Sequence, residues 1–210
     1  MTGDSRASDS DAREDEETET GLEQALAQAR GRFVENPTSP IRRRDLIEIH
    51  KTIGKRHLRR GDKRSALTHC DEILKHFEGL LTLTKHQEET KHEISICQIE
   101  LGDLRRALGD EIGALVAYGE ALAICEKLVT KDPHNARYNR DLAIAKWRTS
   151  ELDSRNRDRF LQSAHDHLLC LQDRGALDEA DMWMIDAIKE QWMADGPSCS
   201  LWQRMRSFFL

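Results

Sequence analysis

Proline, glycine and aromatic side chains are all scarce in this chain. There are four prolines and 12 glycines, together fewer than the ~25 that average usage would give, and Phe, Trp and Tyr make up 5% of residues. So few turn formers, with few β-branched runs, weigh against an all-β fold. No apolar stretch approaches the ~20 residues that a membrane span needs, and Met1-Thr2-Gly3-Asp4-Ser5 lacks the basic and apolar regions of a secretory signal. Cys70, Cys97, Cys125, Cys170 and Cys199 lie at least 27 residues apart with no C-x-x-C pair. That spacing suits reduced thiols in a cytoplasm rather than a disulfide or zinc framework. A Gly-rich phosphate loop, H-E-x-x-H, G-x-S-x-G and a kinase signature are also missing. Cys97 and Cys125 fall on apolar stripes, where a thiol acts as a small hydrophobe. The expectation is a non-catalytic protein with no cofactor. What remains is 210 residues of which 33% are charged, enough for one domain or two small ones at about 100–200 residues each.

The charge is unevenly spread. Residues 1–20 hold eight acids and two bases, which is the whole of the net charge of −6. They have no large apolar residue beyond Met1, so nothing offsets the entropy of ordering them, and a disordered acidic tail is expected. Residues 41–64 are the opposite, with ten bases against three acids. That segment reads either as a solvated helix face or as an electropositive surface for an acidic partner, the chain's own tail included.

The strongest signal is an internal repeat. Shifting the chain by 48 superposes Gly54 on Gly102, Gly61-Asp62 on Gly109-Asp110, Ala66-Leu67 on Ala114-Leu115, Glu72 on Glu120 and Leu74 on Leu122. These are seven identities in 21 ungapped positions, where about one is expected by chance. A shift of 96 superposes Ala25-Leu26-Ala27 on Ala121-Leu122-Ala123, Pro37 on Pro133 and Arg44-Asp45-Leu46 on Arg140-Asp141-Leu142. Within each unit the apolar spacing is helical. Leu46, Ile49, Ile53 and His57 are followed by Leu67, Cys70, Ile73, Leu74 and Phe77; Ile94, Cys97, Leu101 and Leu104 are followed by Leu115, Tyr118, Leu122, Cys125 and Val129. The Gly-Asp pairs sit between the helices of each pair. Gly accepts the left-handed conformation that ends one helix, and Asp caps the next.

Leu101-Gly102, Gly109, Ala114, Tyr118 and Ala121, with Ile53-Gly54, Gly61 and Ala66 in the preceding unit, resemble the tetratricopeptide repeat in a long variant of about 48 residues. The resemblance spans roughly residues 22–156. It implies an all-α fold, a right-handed α-solenoid of stacked antiparallel helix hairpins. Helices are expected at about 22–36, 44–60, 63–84, 91–108, 111–131, 140–155, 158–173 and 176–194. The segments are then a tail (1–20), a repeat domain (21–156), a divergent C-terminal helical cap (157–195) and an amphipathic C-terminal segment (196–210). In the cap, Leu177, Ala180, Met184, Ile188 and Trp192 align on one side.

The resemblance also implies a protein-binding adaptor or scaffold whose groove is lined by the first helix of each unit. Its lining residues would be Lys51, Thr52, Lys55 and Arg59, then Ile99, Glu100, Asp103 and Arg106, then Trp147, Arg148 and Glu151. Ile99 and Trp147 would supply an apolar patch, and the basic stripe would steer an acidic protein or peptide. The peptide-carboxylate clamp of some family members is matched only at Lys51 and Arg148; Lys55, Glu100 and Ile144 depart from it, so that activity is not expected. Two alternatives stand beside this reading. One is nucleic-acid binding through residues 42–64, opposed by the acidic tail and by the lack of interleaved aromatics. The other is self-assembly through Leu22, Leu26 and Phe33 on an unpaired N-terminal helix. Leu201, Trp202, Met205, Phe208 and Phe209 form a C-terminal hook that either folds back on the cap or engages a partner helix groove or a membrane surface. No metal site is expected among the nine histidines. His50 and His57 lie seven apart, as do His69 and His76, too far for one ion unless a third ligand lies between them.

Overall fold

The computed structural model describes residues 4–85 and 87–194, with side chains from Thr20 to Met193 apart from His86. Its helices are α1 (Asp4–Glu35), α2 (Pro40–Arg59), α3 (Lys63–Leu81), α4 (Gln87–Ala107), α5 (Glu111–Lys131), α6 (Ala136–Ser150), α7 (Arg157–Asp173) and α8 (Trp183–Ala194), with a 3-10 turn at Glu179–Asp181. No strand occurs among the described residues. The protein is all-α, and consecutive helices pack on one another: α1 on α2, α2 on α3, α5 on α6, α6 on α7 and α7 on α8. No helix among the described residues is long and apolar enough to cross a membrane. The chain divides into two compact units between Thr90 and Lys91.

The Gly-Asp pairs act as the repeat predicts. Gly61 and Gly109 have φ of 78° and 85°. The following amides reach back across the helix end, Asp62 N to His57 O and Asp110 N to Arg105 O, both at 2.9 Å. Each Asp then starts the next helix, its side chain accepting from Ser65 N at 3.1 Å or from Gly113 N at 2.8 Å. Gly175 ends α7 in the same way with φ 61°, a third site that the repeat did not indicate. The turn after α6 has no glycine. Ser150 Oγ and Thr149 Oγ1 donate to Trp147 O and Ala145 O, and Asp153 accepts from the amides of Arg155 and Asn156, so side chains shape that turn.

Besides α1, three helices start earlier than the apolar pattern indicates, α2, α4 (at Gln87, four residues before the expected 91) and α6, and α8 starts later, at Trp183 instead of 176, after the 3-10 turn. α2 begins at Pro40, where the ring fixes a helical φ and Ser39 caps Arg42 N. α6 begins at Ala136, capped by Asn135. The backbone of the acidic segment, expected to be disordered, continues α1 from Asp4. No Pro or Gly interrupts residues 4–20, and acidic residues suit the N-terminal end of a helix.

In the first unit, α1 lies on the α2–α3 hairpin. Leu22, Leu26 and Phe33 are half-buried there, and Phe33 meets the edge of the His76 ring at 5.5 Å beneath the Arg43 guanidinium. The face expected to be open for a second copy is therefore largely used within the chain. The buried stripe of α2 is Leu46, Ile47, His50, Ile53 and Gly54. It is rotated from the predicted one, so Ile49 is half-buried and His50 is 1% exposed.

In the second unit, α4 and α5 approach closely because Gly102 faces the fully buried Tyr118. The inner face of α5 is small, with Ala114, Ala117, Ala121 and Cys125, and it leaves Leu115 exposed where the sequence placed it in the core. Around α7 the core gathers Ala143, Trp147, Leu161, Leu168, Leu171, Met184, Ile188 and Trp192. The predicted stripe of the last segment is buried at Leu177, Met184, Ile188 and Trp192 and exposed at Ala180.

Candidate functional site

The basic segment spans α2 and the start of α3; Arg56 is buried and Arg42 and Arg43 are half-buried, so only part of its charge faces solvent. Lys55 and Arg59 are exposed, one helical turn apart on one face, and Arg44 is exposed farther along the helix. Lys51 belongs to the same stripe but is half-buried: its ammonium is 3.4 Å from Glu48 and 5.5 Å from the centre of the Phe77 ring. Lys51 is thus fixed by packing, and the solvated charge lies at Lys55 and Arg59.

The predicted lining residues of the second unit do come together, across α4 and α6. Arg148 Nε is 3.1 Å from Asp103 Oδ1, and the Tyr118 hydroxyl donates to the same oxygen at 2.6 Å. Arg106 pairs with Glu151, whose carboxylate also lies 3.7 Å from Arg148. Burial and the Asp103 carboxylate hold the Tyr118 phenol above its usual pKa, so it stays a neutral donor. These charges neutralise one another and tie α4 to α6.

Ile99 and Trp147 do not form an open apolar patch. Ile99 packs with Ala121 and Ala145. Trp147 is 8% exposed in the α6–α7–α8 core, its indole donating to Gln191 Oε1 at 2.6 Å. The indole is covered because α8 lies over the face of α6 that carries it, through Trp183 and Gln191. The side chains of the C-terminal hook (Leu201, Trp202, Met205, Phe208 and Phe209) lie outside the described residues.

A buried pair in the second unit was not foreseen. His92 Nε2 lies 2.7 Å from Asp141 Oδ2, while Arg140 reaches the other carboxylate oxygen at 2.8 Å. Ser95 Oγ donates to the His92 carbonyl oxygen rather than to its ring. Burial pushes the Cys125 thiol up to about 11, far from a reactive thiolate. In α6 and α7, Lys146 donates to Ser163 Oγ at 2.7 Å and contacts His167 Nε2 at 3.1 Å. Burial and the neighbouring ammonium lower the His167 pKa, so its neutral ring accepts that bond.

The first unit holds a histidine cluster between α2 and α3. His50 Nδ1 is 2.8 Å from His69 Nδ1. The His69 ring stacks on His57 with centroids 5.4 Å apart, and His57 Nδ1 lies 3.3 Å from Asp62. The His76 ring is 6.0 Å from that of His50. Desolvation, reinforced by neighbouring rings and by Arg30, pushes His50 down to about 4, and His69 and His76 are lowered chiefly by burial. These three rings are neutral at pH 7. The sequence signal was Glu72 between His69 and His76, the intervening group that the spacing argument required; the inward turn of His50 was not visible.

No protein-family model matches the chain, and no curated protein matches it.

Proposed function

We propose that this chain is a non-catalytic interaction module of the cytoplasm, similar to a long tetratricopeptide repeat, which captures an acidic protein or peptide on the exposed basic side of α2. The observation that carries the reading is the exposure of Lys55 and Arg59 on one face, within a segment holding ten bases and three acids. Such a surface speeds encounter with an acidic partner and selects against basic ones. The α4–α6 face is a weaker candidate because its arginines are matched by Asp103 and Glu151. The repeat assignment is supported by the paired turns at Gly61 and Gly109 and by the contact of a small residue with a large one at Gly102 and Tyr118.

The test is fluorescence anisotropy of a labelled Glu-rich peptide against the full chain. Lys55→Glu combined with Arg59→Glu is expected to weaken binding at least tenfold, with the melting temperature nearly unchanged because both side chains are exposed. An unchanged affinity contradicts the assignment. Tighter binding of a DNA duplex than of the peptide, with a steep salt dependence, overturns it in favour of nucleic-acid recognition.

A further inference from the structure

His69, Glu72 and His76 lie at i, i+3 and i+7 on α3, so they form one stripe, and α2 sets the buried His50 against it. One ligand atom from each of His50, Glu72 and His76 falls within 4.8 Å of the others. Imidazole nitrogen and carboxylate oxygen are the donors that bind zinc-class ions. A tetrahedral ion with bonds of about 2.0–2.1 Å holds its ligand atoms roughly 3.3 Å apart, so the three groups need to close by about 1.5 Å at most. Glu72 and His76 are half-buried side chains, and rotation about their χ angles supplies such a movement.

The surroundings are those of a ligand set as well as of a helix interface. His50 makes its Nδ1 contact to His69, which leaves its other ring nitrogen for an ion; a ligating His is commonly oriented in this way through its second nitrogen. His69 is in turn supported by His57, and His57 by Asp62. A pocket of about 170 Å³ opens at the other end of this chain of rings, beside His57 and His69 and not at the three ligands themselves. Opposing charges are present. Lys75 takes Glu72 Oε1 at 2.6 Å, leaving the second carboxylate oxygen, and the Arg30 and Arg43 charges act on His76.

We propose that His50, Glu72 and His76 bind one divalent zinc-class ion between α2 and α3, with His69 as the residue that orients His50. Bound there, the ion clamps the two helices of the hairpin together and leaves a coordination position for water.

The experiment is calorimetric titration of the chelator-treated full chain with zinc chloride, with cobalt(II) absorption as a second readout. The wild type is expected to bind one equivalent, to melt at a higher temperature with zinc, and to give the intense visible bands of four-coordinate cobalt. Glu72→Gln and His76→Gln, each checked for helicity by circular dichroism, are expected to weaken zinc at least tenfold. His134→Gln, at an exposed residue of the second unit, is expected to bind as the wild type does. Failure of the wild type to bind saturably, or equal binding by Glu72→Gln and His76→Gln, overturns the proposal. Where one variant does not fold the other locates the site, and a wild type that binds no zinc overturns the proposal whatever the variants do.

Discussion

Trp147→Ala is expected to destabilise the protein by about 3–5 kcal/mol, the range for removing a buried Trp. The indole is 8% exposed and packs among Leu161, Leu168 and Ile188. It also meets the Trp183 ring at 5.9 Å and donates to Gln191. Deleting it opens a cavity where three helices converge and strands a polar partner on α8. Urea or thermal unfolding followed by circular dichroism measures the loss. Peptide binding, read below the melting temperature, should remain close to wild type. The opposite pair of results, near-normal stability with lost binding, would identify Trp147 as a surface anchor.

A second large effect separates two glycines that occupy the same place in the 48-residue repeat. Alanine in a helix interior is favoured over glycine by roughly 0.5–1 kcal/mol. At Gly54 an added Cβ meets only His69 Cβ, at 3.5 Å, so Gly54→Ala is expected to be neutral or to stabilise by up to about 1 kcal/mol. At Gly102 the added carbon would lie 2.3 Å from Tyr118 Cε1 and 2.5 Å from Cδ1. That ring is fully buried and its hydroxyl is held by Asp103, so it has little room to retreat. Overpacking of this kind costs about 1–3 kcal/mol, and Gly102→Ala is expected to destabilise. The repeat explains the contrast: the position equivalent to Tyr118 in the first unit is Cys70, too small to press on Gly54. Chemical denaturation of both variants gives the sign of each change; the same sign at both positions would contradict the packing described.

The sequence made the helix boundaries at 61–63 and 109–111 legible because the requirement there is local. A positive φ calls for Gly, and the next orphan amides call for Asp, so neighbouring residues carry the whole signal. The turn after α6 satisfies its backbone through Ser150, Thr149 and Asp153, residues with many other uses, and it left no comparable mark. Faces were harder to read than helices. Apolar spacing placed Leu115 inside and the resemblance placed Trp147 in the groove, whereas burial depended on the Ala-lined face of α5 and on α8 lying over α6. The histidine cluster needs a residue from each of two helices. The spacing of His69 and His76 taken alone argues against an ion, Glu72 between them goes unread, and the rotation of α2 that turns His50 inward depends on how α1 and α3 press on it.

The interaction surface, on which the functional reading depends, is tested most directly by amide chemical-shift mapping of the full chain during titration with an unlabelled Glu-rich peptide. The account predicts saturable shifts concentrated on the exposed side of α2 around Lys55 and Arg59, fading as salt is raised. Shifts confined to the exposed apolar residues of α5 (Ile112, Leu115 and Val116), or no shifts at saturating peptide, would contradict it.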